Sequence, residues 1–381
     1  MKKILFVVLV ISLFSCSNDN VIEDKQASEE LTEEIILLKD FIAKTMSVDV
    51  KHIFYDVIDS RFIIEEDMMI SLDQVRQQYN KKLLKITNKT TQNYYNKIWP
   101  EYRFVTIFIS FEVSSEWKIA INNAINNWNT TNTGITLHIV NSAAEAQTKI
   151  TAALKGNVSA IASAGLPGGK AGQYIEINTY YNNLDADSKT SVMTHEIGHI
   201  LGLLHSDTTS GTYVPCTPLS DNSSIMFPLH DVWRTGITVY DNVAISVMYP
   251  LLEGTTKLYR YKKNQYYFYT TDPCEIISDK NEYIFDGDAG YLHSTPISGT
   301  VPLYRSLNGT IVKDHKLSTI QKSAEDVVLG YVYVTKEPKT TALYSNISSY
   351  DYFPTVNHYM YTTVTNEDVV KKIIVGYVLT K

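Results

Sequence analysis

The chain has 381 residues, 44% of them hydrophobic and 20% charged, with a formal net charge of −7. That is enough chain for about two or three domains with cores of their own, and the acidic balance, with no basic stripe, excludes a nucleic-acid partner. Tyrosine is the one excess, with 27 copies, more than half of them after residue 253.

The first element is an address. "MKKILFVVLVISLFSC" places two lysines before an apolar run from Ile4 to Leu13, the length of a signal-peptide core and too short to span a bilayer. The run ends in Leu13-Phe14-Ser15-Cys16, which resembles a bacterial lipobox. That resemblance implies a lipoprotein signal peptide over residues 1–16, ending at a lipidated Cys16 that becomes the mature N-terminus, and an exported lipoprotein of the cell envelope, at the outer membrane or cell surface; an ordinary secretory signal is the alternative. The polar "SNDNVIEDK" that follows suits a flexible tether. Cys216 and Cys274 then remain, able to pair in an oxidising compartment, although they fall in what read as different domains.

Residues 17–95 read as a tether and a propeptide-like region. "SEELTEEIILLKDFIAKTM" has a helical apolar period, "RFIIEEDMMIS" is strand-like and "LDQVRQQYNKKLLK" is a charged helix. Residues 96–252 read as mixed α and β. "RFVTIFISFEV" and "ITLHIV" alternate like strands, and "SSEWKIAINNAINNWNTT" is a helix with Ser114 as N-cap. "SAIASAGLPGGKAGQYIEINT" is strand-forming and broken by glycines, without the spacing of a phosphate loop.

"MTHEIGHILGLLH" concentrates three of the nine histidines. On a helix, His195 and His199 share a face and can offer ring nitrogens to one point. Zinc takes such ligands and, in catalytic sites, leaves a fourth position open for water. Glu196 lies one residue round, placed to accept that water's proton rather than to bind the metal. Gly202 comes where the helix must stop, and its tolerance of left-handed dihedrals lets the chain turn and bring back His205 as third ligand. One catalytic zinc ion is the cofactor this pattern implies. His138, alone in "LHIV", carries no such implication.

The long motif His195, Glu196, His199, Gly202, His205 resembles that of the metzincins. "SSIMFP" resembles their methionine turn, with Met226 beneath the metal; "SVMYP", with Met248, is the rival, although "ITVYDNVAISVMYP" looks like the closing helix of such domains. In detail "HEIGHILGLLHSD…SIMFP…YDNVAISVMYP" looks most like the bacterial dual-action HEIGH metallopeptidases, over roughly residues 55–251. The resemblance implies an α+β metzincin-like zinc protease domain that hydrolyses peptide bonds as a metalloendopeptidase, with a protein or peptide substrate lying beside the strand around Tyr174 to Asn178. Some metzincins follow the methionine with a tyrosine; here Phe227, Pro228 and Leu229 follow, leaving Tyr213 and Tyr249 as substitutes. Asp207 is either a loop residue or a partner for a ligand imidazole. "FIIEEDMMIS" loosely resembles the Phe-x-Gly-Asp stretch by which astacin-like precursors block zinc, with Asp67 as the latency switch and Glu66 where glycine would be; a surface strand is the other reading.

Residues 253–381 repeat. "KLYRY", "PLYRS" and "ALYSN" recur at Leu258, Leu303 and Leu343; the threonine-ended "YFYTT", "HKLST" and "YMYTT" follow; then come Gly290, Gly330 and Gly376 before Tyr291, Tyr331 and Tyr377. Three units of about 40 residues must share a core, and a β-trefoil-like all-β accessory domain is expected, with a small propeller or sandwich as the alternatives. Its tyrosines can stack on a carbohydrate or grip another surface ligand, or simply pack. A second function class therefore stays open: a non-catalytic surface binding protein that uses this domain. The intact Glu196 favours the enzyme, since a scaffold has no use for a general base.

Overall fold

The computed structural model describes residues 19–82, 93–131, 133–157, 160–207, 211–218, 220–228, 234, 236–264, 266–275, 283–308, 314–349, 357–363 and 372–380. The signal-like segment with Cys16 lies outside these, as does Leu229. No helix among the described residues is long and apolar enough to cross a membrane.

Helix α1 (Asp19–Met46) begins inside the stretch expected to be a flexible tether, so that segment is helical instead. Strands β1 (Ile53–Asp56), β2 (Arg61–Ile64) and β3 (Met68–Ser71) follow, then α2 (Leu72–Lys82) and the two-residue β4 (Asn93–Tyr94). The acidic stretch read as one strand is thus a hairpin, β2 and β3 joined through Glu65, Glu66 and Asp67. Leu38, Ile42 and Met46 pack with Phe62, Ile64, Met68 and Ile70 in a small core closed by Leu166 and Leu204 from later in the chain. The N-terminal segment is therefore completed by the part that follows it.

That part holds β5 (Phe104–Ile109), α3 (Ser115–Asn129), β6 (Thr136–Val140), β7 (Thr148–Ala153), β8 (Ala162–Gly165), β9 (Tyr174–Asn178), α4 (Ala186–Ile200), β10 (Thr212–Tyr213) and α5 (Val239–Met248). One sheet runs β1-β2-β3-β8-β9-β7-β5-β6. Its β5, β6, β7 and β9 are parallel, β8 is antiparallel to β9, and β3 lies parallel to β8. Ser114 caps α3 as its sequence position predicts, its hydroxyl accepting from the Trp117 N–H. Helix α3 buries Trp117, Ile121, Ala124 and Trp128, one face at helical spacing, against Val192, Ile197 and Ile200 of α4 and Val105, Ile107 and Ile175 of the sheet. Each such isoleucine or valine contributes about 1.5–3 kcal/mol by burial.

The substrate strand expected at Tyr174–Asn178 is corrected here. Strand β9 is bonded on one side to β7 and on the other to β8, so it has no free edge. Beyond β9 the sheet continues through β8, to which β3 of the N-terminal segment is paired.

The last third of the chain is antiparallel: β11 (Thr255–Lys263), β12 (Tyr266–Thr270) and β13 (Ile284–His293); β14 (Thr300–Asn308), β15 (Asp314–Ser318) and β16 (Val327–Tyr333); β17 (Thr340–Ser349), β18 (Asn357–Thr362) and β19 (Lys372–Leu379). Each repeat is one three-stranded unit, and the units meet at single residue pairs of their last strands: His293 with Tyr331, Tyr333 with Tyr377 and Tyr291 with Leu379. The strand pairing shows an antiparallel sheet region built from the three units and does not show the trefoil-like barrel. The glycines explain the junctions. A Cβ on Gly290 would meet Val378 at 2.5 Å, one on Gly330 Leu292 at 2.8 Å, and one on Gly376 Val332 at 2.7 Å, so each repeat accepts a side chain of another in a closed cycle.

The tyrosines are packing groups. Tyr269 OH lies between the N–H (2.6 Å) and carbonyl (3.1 Å) of Tyr361, and Tyr361 OH bonds both backbone groups of Leu317. Where the second repeat has Leu317 instead of tyrosine, Arg305 donates to the Tyr269 carbonyl at 2.7 Å. Among the described residues, every tyrosine after residue 253 is buried or half-buried.

Candidate metal centre

Helix α4 starts at Asp185, whose carboxylate accepts the Ser188 N–H at 2.8 Å, and is buried along the length that carries His195, Glu196 and His199. The first two histidines share a face as expected, with their Nε2 atoms 3.0 Å apart. Gly202 then turns the chain at φ +101°, where a Cβ would lie 2.4 Å from the Asn96 carbonyl. No residue with a side chain fits that turn without displacement. His205 returns to the same point.

Backbone carbonyls orient two of the rings. The Ile225 carbonyl lies 2.8 Å from His195 Nδ1, and the Leu203 carbonyl 2.8 Å from His199 Nδ1. A carbonyl only accepts, so each Nδ1 carries the proton and each Nε2 presents a lone pair to the centre. Met226 lies below: a Cβ on Gly198 would meet its sulfur at 2.2 Å. Met248 is core, its methyl beside Gly202 rather than beside Gly198 of the histidine helix. The Ser224-Ile225-Met226 turn is fixed by the buried Asp241, which accepts from Ser224 Oγ and, at 3.0 Å, from the Ile225 N–H.

The fourth side chain at this point is Asp67. Its Oδ2 stands 3.2 Å from His205 Nε2 and 3.6 Å from His195 Nε2, and its Oδ1 4.0 Å from His199 Nε2. One ligand atom from each of the four residues lies within 4.8 Å of all the others. A tetrahedral zinc with bonds of about 2.0–2.1 Å sets its ligand atoms roughly 3.3 Å apart, so these residues fit the ion. Two buried atoms here, Asp67 Oδ1 and Glu196 Oε2, have no hydrogen-bond partner, as expected where a cation and its water belong.

Sequence reasoning missed Glu65, whose Oε2 is 3.2 Å from His205 Nδ1. Burial alone would lower the His205 pKa, but Asp67 and Glu65 carry it up to about 10. Burial would raise the Asp67 carboxyl, yet the charge of His205 beside it holds it well below the usual carboxylate range. Glu196 is pushed up, by burial first and the charge of Asp67 second. The substitutes weighed for the missing tyrosine are placed elsewhere. Tyr249 OH is buried, donating to the Leu201 carbonyl and accepting from the Ile98 N–H, and Tyr213 OH donates to the Thr217 carbonyl. Asp207 is exposed, a loop residue. Cys216 and Cys274 form a disulfide.

Three histidines on a helix and its turn, a buried glutamate beside them and a methionine beneath define a zinc metallopeptidase, a hydrolase. Residues 62–224 match the family model of the dual-action HEIGH metallo-peptidases, so the chain carries a domain of that family. Among solved structures, myroilysin is 15% identical, with 40% of this chain and 96% of that chain covered at a TM-score of 0.32. High choriolytic enzyme 1, a hatching-enzyme zinc protease from the medaka fish Oryzias latipes, is 17% identical, covering 42% of this chain and 96% of its own at 0.28. No curated protein matches the chain.

Proposed function

We propose that the chain is a zinc metalloendopeptidase made as a latent, exported precursor. His195, His199 and His205 would hold one zinc ion, Glu196 is the general base, and Asp67 fills the remaining position. The observation that carries this reading is the meeting of Asp67 with the three histidines within 4.8 Å.

When bound, zinc supplies Lewis acidity toward the scissile carbonyl and the attacking water. Glu196 takes a proton from that water and passes it to the leaving amine. The substrate, an extended peptide, adds itself to the β8 edge by main-chain hydrogen bonds. Strand β3 now holds that edge, so one N-terminal segment covers both the substrate strand and the metal position. The reading of residues 17–95 as propeptide-like rests on this double cover, with 96–252 catalytic and 253–381 a repeat unit beyond it.

Export as a lipoprotein through Cys16 is supported by the sequence alone, and with it a place in the cell envelope. The alternative of a non-catalytic binder gains nothing from the repeats, whose described tyrosines are engaged in packing.

The test is hydrolysis of an unfolded protein by the full chain and by the chain trimmed after residue 95, each with and without chelator. Chelator-sensitive cleavage by the trimmed form is expected. Cleavage that survives zinc removal overturns the reading.

A further inference from the structure

The first of the three repeats meets the peptidase domain, and there its sequence departs from that of the other two. Lys257, Pro302 and Ala342 occupy the same place, each before the buried leucine of its repeat. Opposite the following tyrosines Tyr259, Tyr304 and Tyr344, the register sets Asp288, Val328 and Ile374. In the second and third repeats this face is open, with Val328 47% and Ile374 49% exposed. In the first it is charged and covered. Lys257 is 2% exposed, its Nζ lies 4.0 Å from Asp288 Oδ2, and the rings of Tyr259 and Tyr291 flank it at 5.8 and 5.7 Å. The repeat itself folds with proline or alanine at this place, so the ammonium serves something outside it.

A buried ammonium is costly unless its protons are all engaged. Those of Lys257 reach across to the peptidase domain. Nζ donates to the Thr131 carbonyl, just past the end of α3, and to Asn242 Oδ1 of α5 at 3.0 Å. The first contact sets a positive charge at a helix C-terminus, where it is favoured.

Both helices lead to the histidines. On α3, Trp128 sits one turn before Thr131, and its indole N–H donates at 2.8 Å to the carbonyl of Thr194, the residue before His195. Its ring also comes within 3.1 Å of where a Cβ on Gly198 would stand, beside Met226. On α5, Asp241 adjoins Asn242 and accepts from the Ile225 N–H, and the Ile225 carbonyl accepts from the His195 Nδ1–H.

We infer that Lys257 is a positioning residue for the metal site. By tying the end of α3 to the start of α5, it fixes Trp128 and Ile225 and through them the ring of His195. The first β-repeat is thereby built into the peptidase domain rather than merely appended to it. This rests on the reading of His195 as a zinc ligand. The Cys216–Cys274 disulfide is a separate tether between the same two regions, so removing the ammonium does not part them.

The experiment uses the full chain with its disulfide intact and measures the rate at which bound zinc passes to excess chelator. Lys257→Met keeps the apolar stem and loses only the ammonium; zinc loss about tenfold faster is expected, within the range of coupled neighbours. Pro302→Met, the equivalent change in the second repeat, should leave the rate as it is. Asp241→Asn should speed zinc loss by itself, and on that background Lys257→Met should add no more than about threefold, because the α5 route is already broken. If Lys257→Met yields no folded protein, Asn242→Ala enters the same cycle. A rate within about twofold of wild type, or the full tenfold effect on both backgrounds, overturns the role of Lys257. A wild-type chain that takes up no zinc overturns the reading of the site together with it.

Discussion

The carboxylate of Asp67 and the imidazole of His205 meet at 3.2 Å across 138 residues of sequence. The approach depends on backbone that side chains rarely adopt: Glu65 and Glu66, just before Asp67, stand at φ +49° and +75°. Glu66 takes the left-handed conformation that would favour glycine, at a cost of about 1–2 kcal/mol. That strain is tolerated where Asp67 reaches the histidines.

If Asp67 blocks the metal, Asp67→Ala should make the untrimmed chain active. The expected outcome is hydrolysis of an unfolded protein by the full-length variant, with no N-terminal cleavage visible on a gel, while untrimmed wild type is silent. A variant as silent as wild type, beside an active trimmed chain, would show that β3 alone on the β8 edge maintains latency.

Glu196 separates chemistry from binding. Glu196→Ala in the trimmed chain should retain zinc and lose about 10²- to 10⁴-fold in kcat, the range for a general base. Metal content and turnover measured on one preparation decide it. Zinc lost along with activity would make Glu196 a ligand or a support of the ligands instead.

The zinc motif was legible because its members lie on one helix and one turn, so spacing alone brings His195, His199 and His205 together. Asp67 was half-legible, since the stretch before it has glutamate where the resemblance calls for glycine, and only the φ of Glu66 resolves the conflict. Glu65 left no signal, being 140 residues from the His205 it faces. Strands β8 and β9 could be read from composition, but their places in the sheet depend on pairing with β3 and β7. Lys257 reads in sequence as an ordinary strand lysine. Its burial is decided by Thr131 and Asn242, which no local pattern connects to it.

His205→Ala should abolish tight zinc binding, as should His195→Ala and His199→Ala, because two histidines leave the site poorly closed. Equilibrium dialysis against a weak chelator reads this directly. A stoichiometric ion retained by any one of the three would mean that this histidine is not a ligand.

The N-terminal hairpin is also held by a titratable latch. Arg61, 4% exposed, grips Glu176 of β9 with two bonds of 2.7 and 3.0 Å and lies 5.6 Å from the ring centre of Tyr174. Burial would raise the Glu176 pKa, but the bonds from Arg61 and Lys155 outweigh it and hold the carboxyl below its ordinary value. A depressed folded-state pKa means that the stabilisation is complete above the unfolded value, about 4.3, and disappears as pH falls through the lower folded value. Glu176→Gln should therefore cost about 1–2 kcal/mol near neutral pH, discounted for the partial exposure of the glutamate. The deficit should shrink toward zero as the solution is acidified. Urea unfolding of wild type and variant at a series of pH values gives the difference. A deficit that stays constant down to about pH 3, or widens in acid, would remove Glu176 as the titrating group.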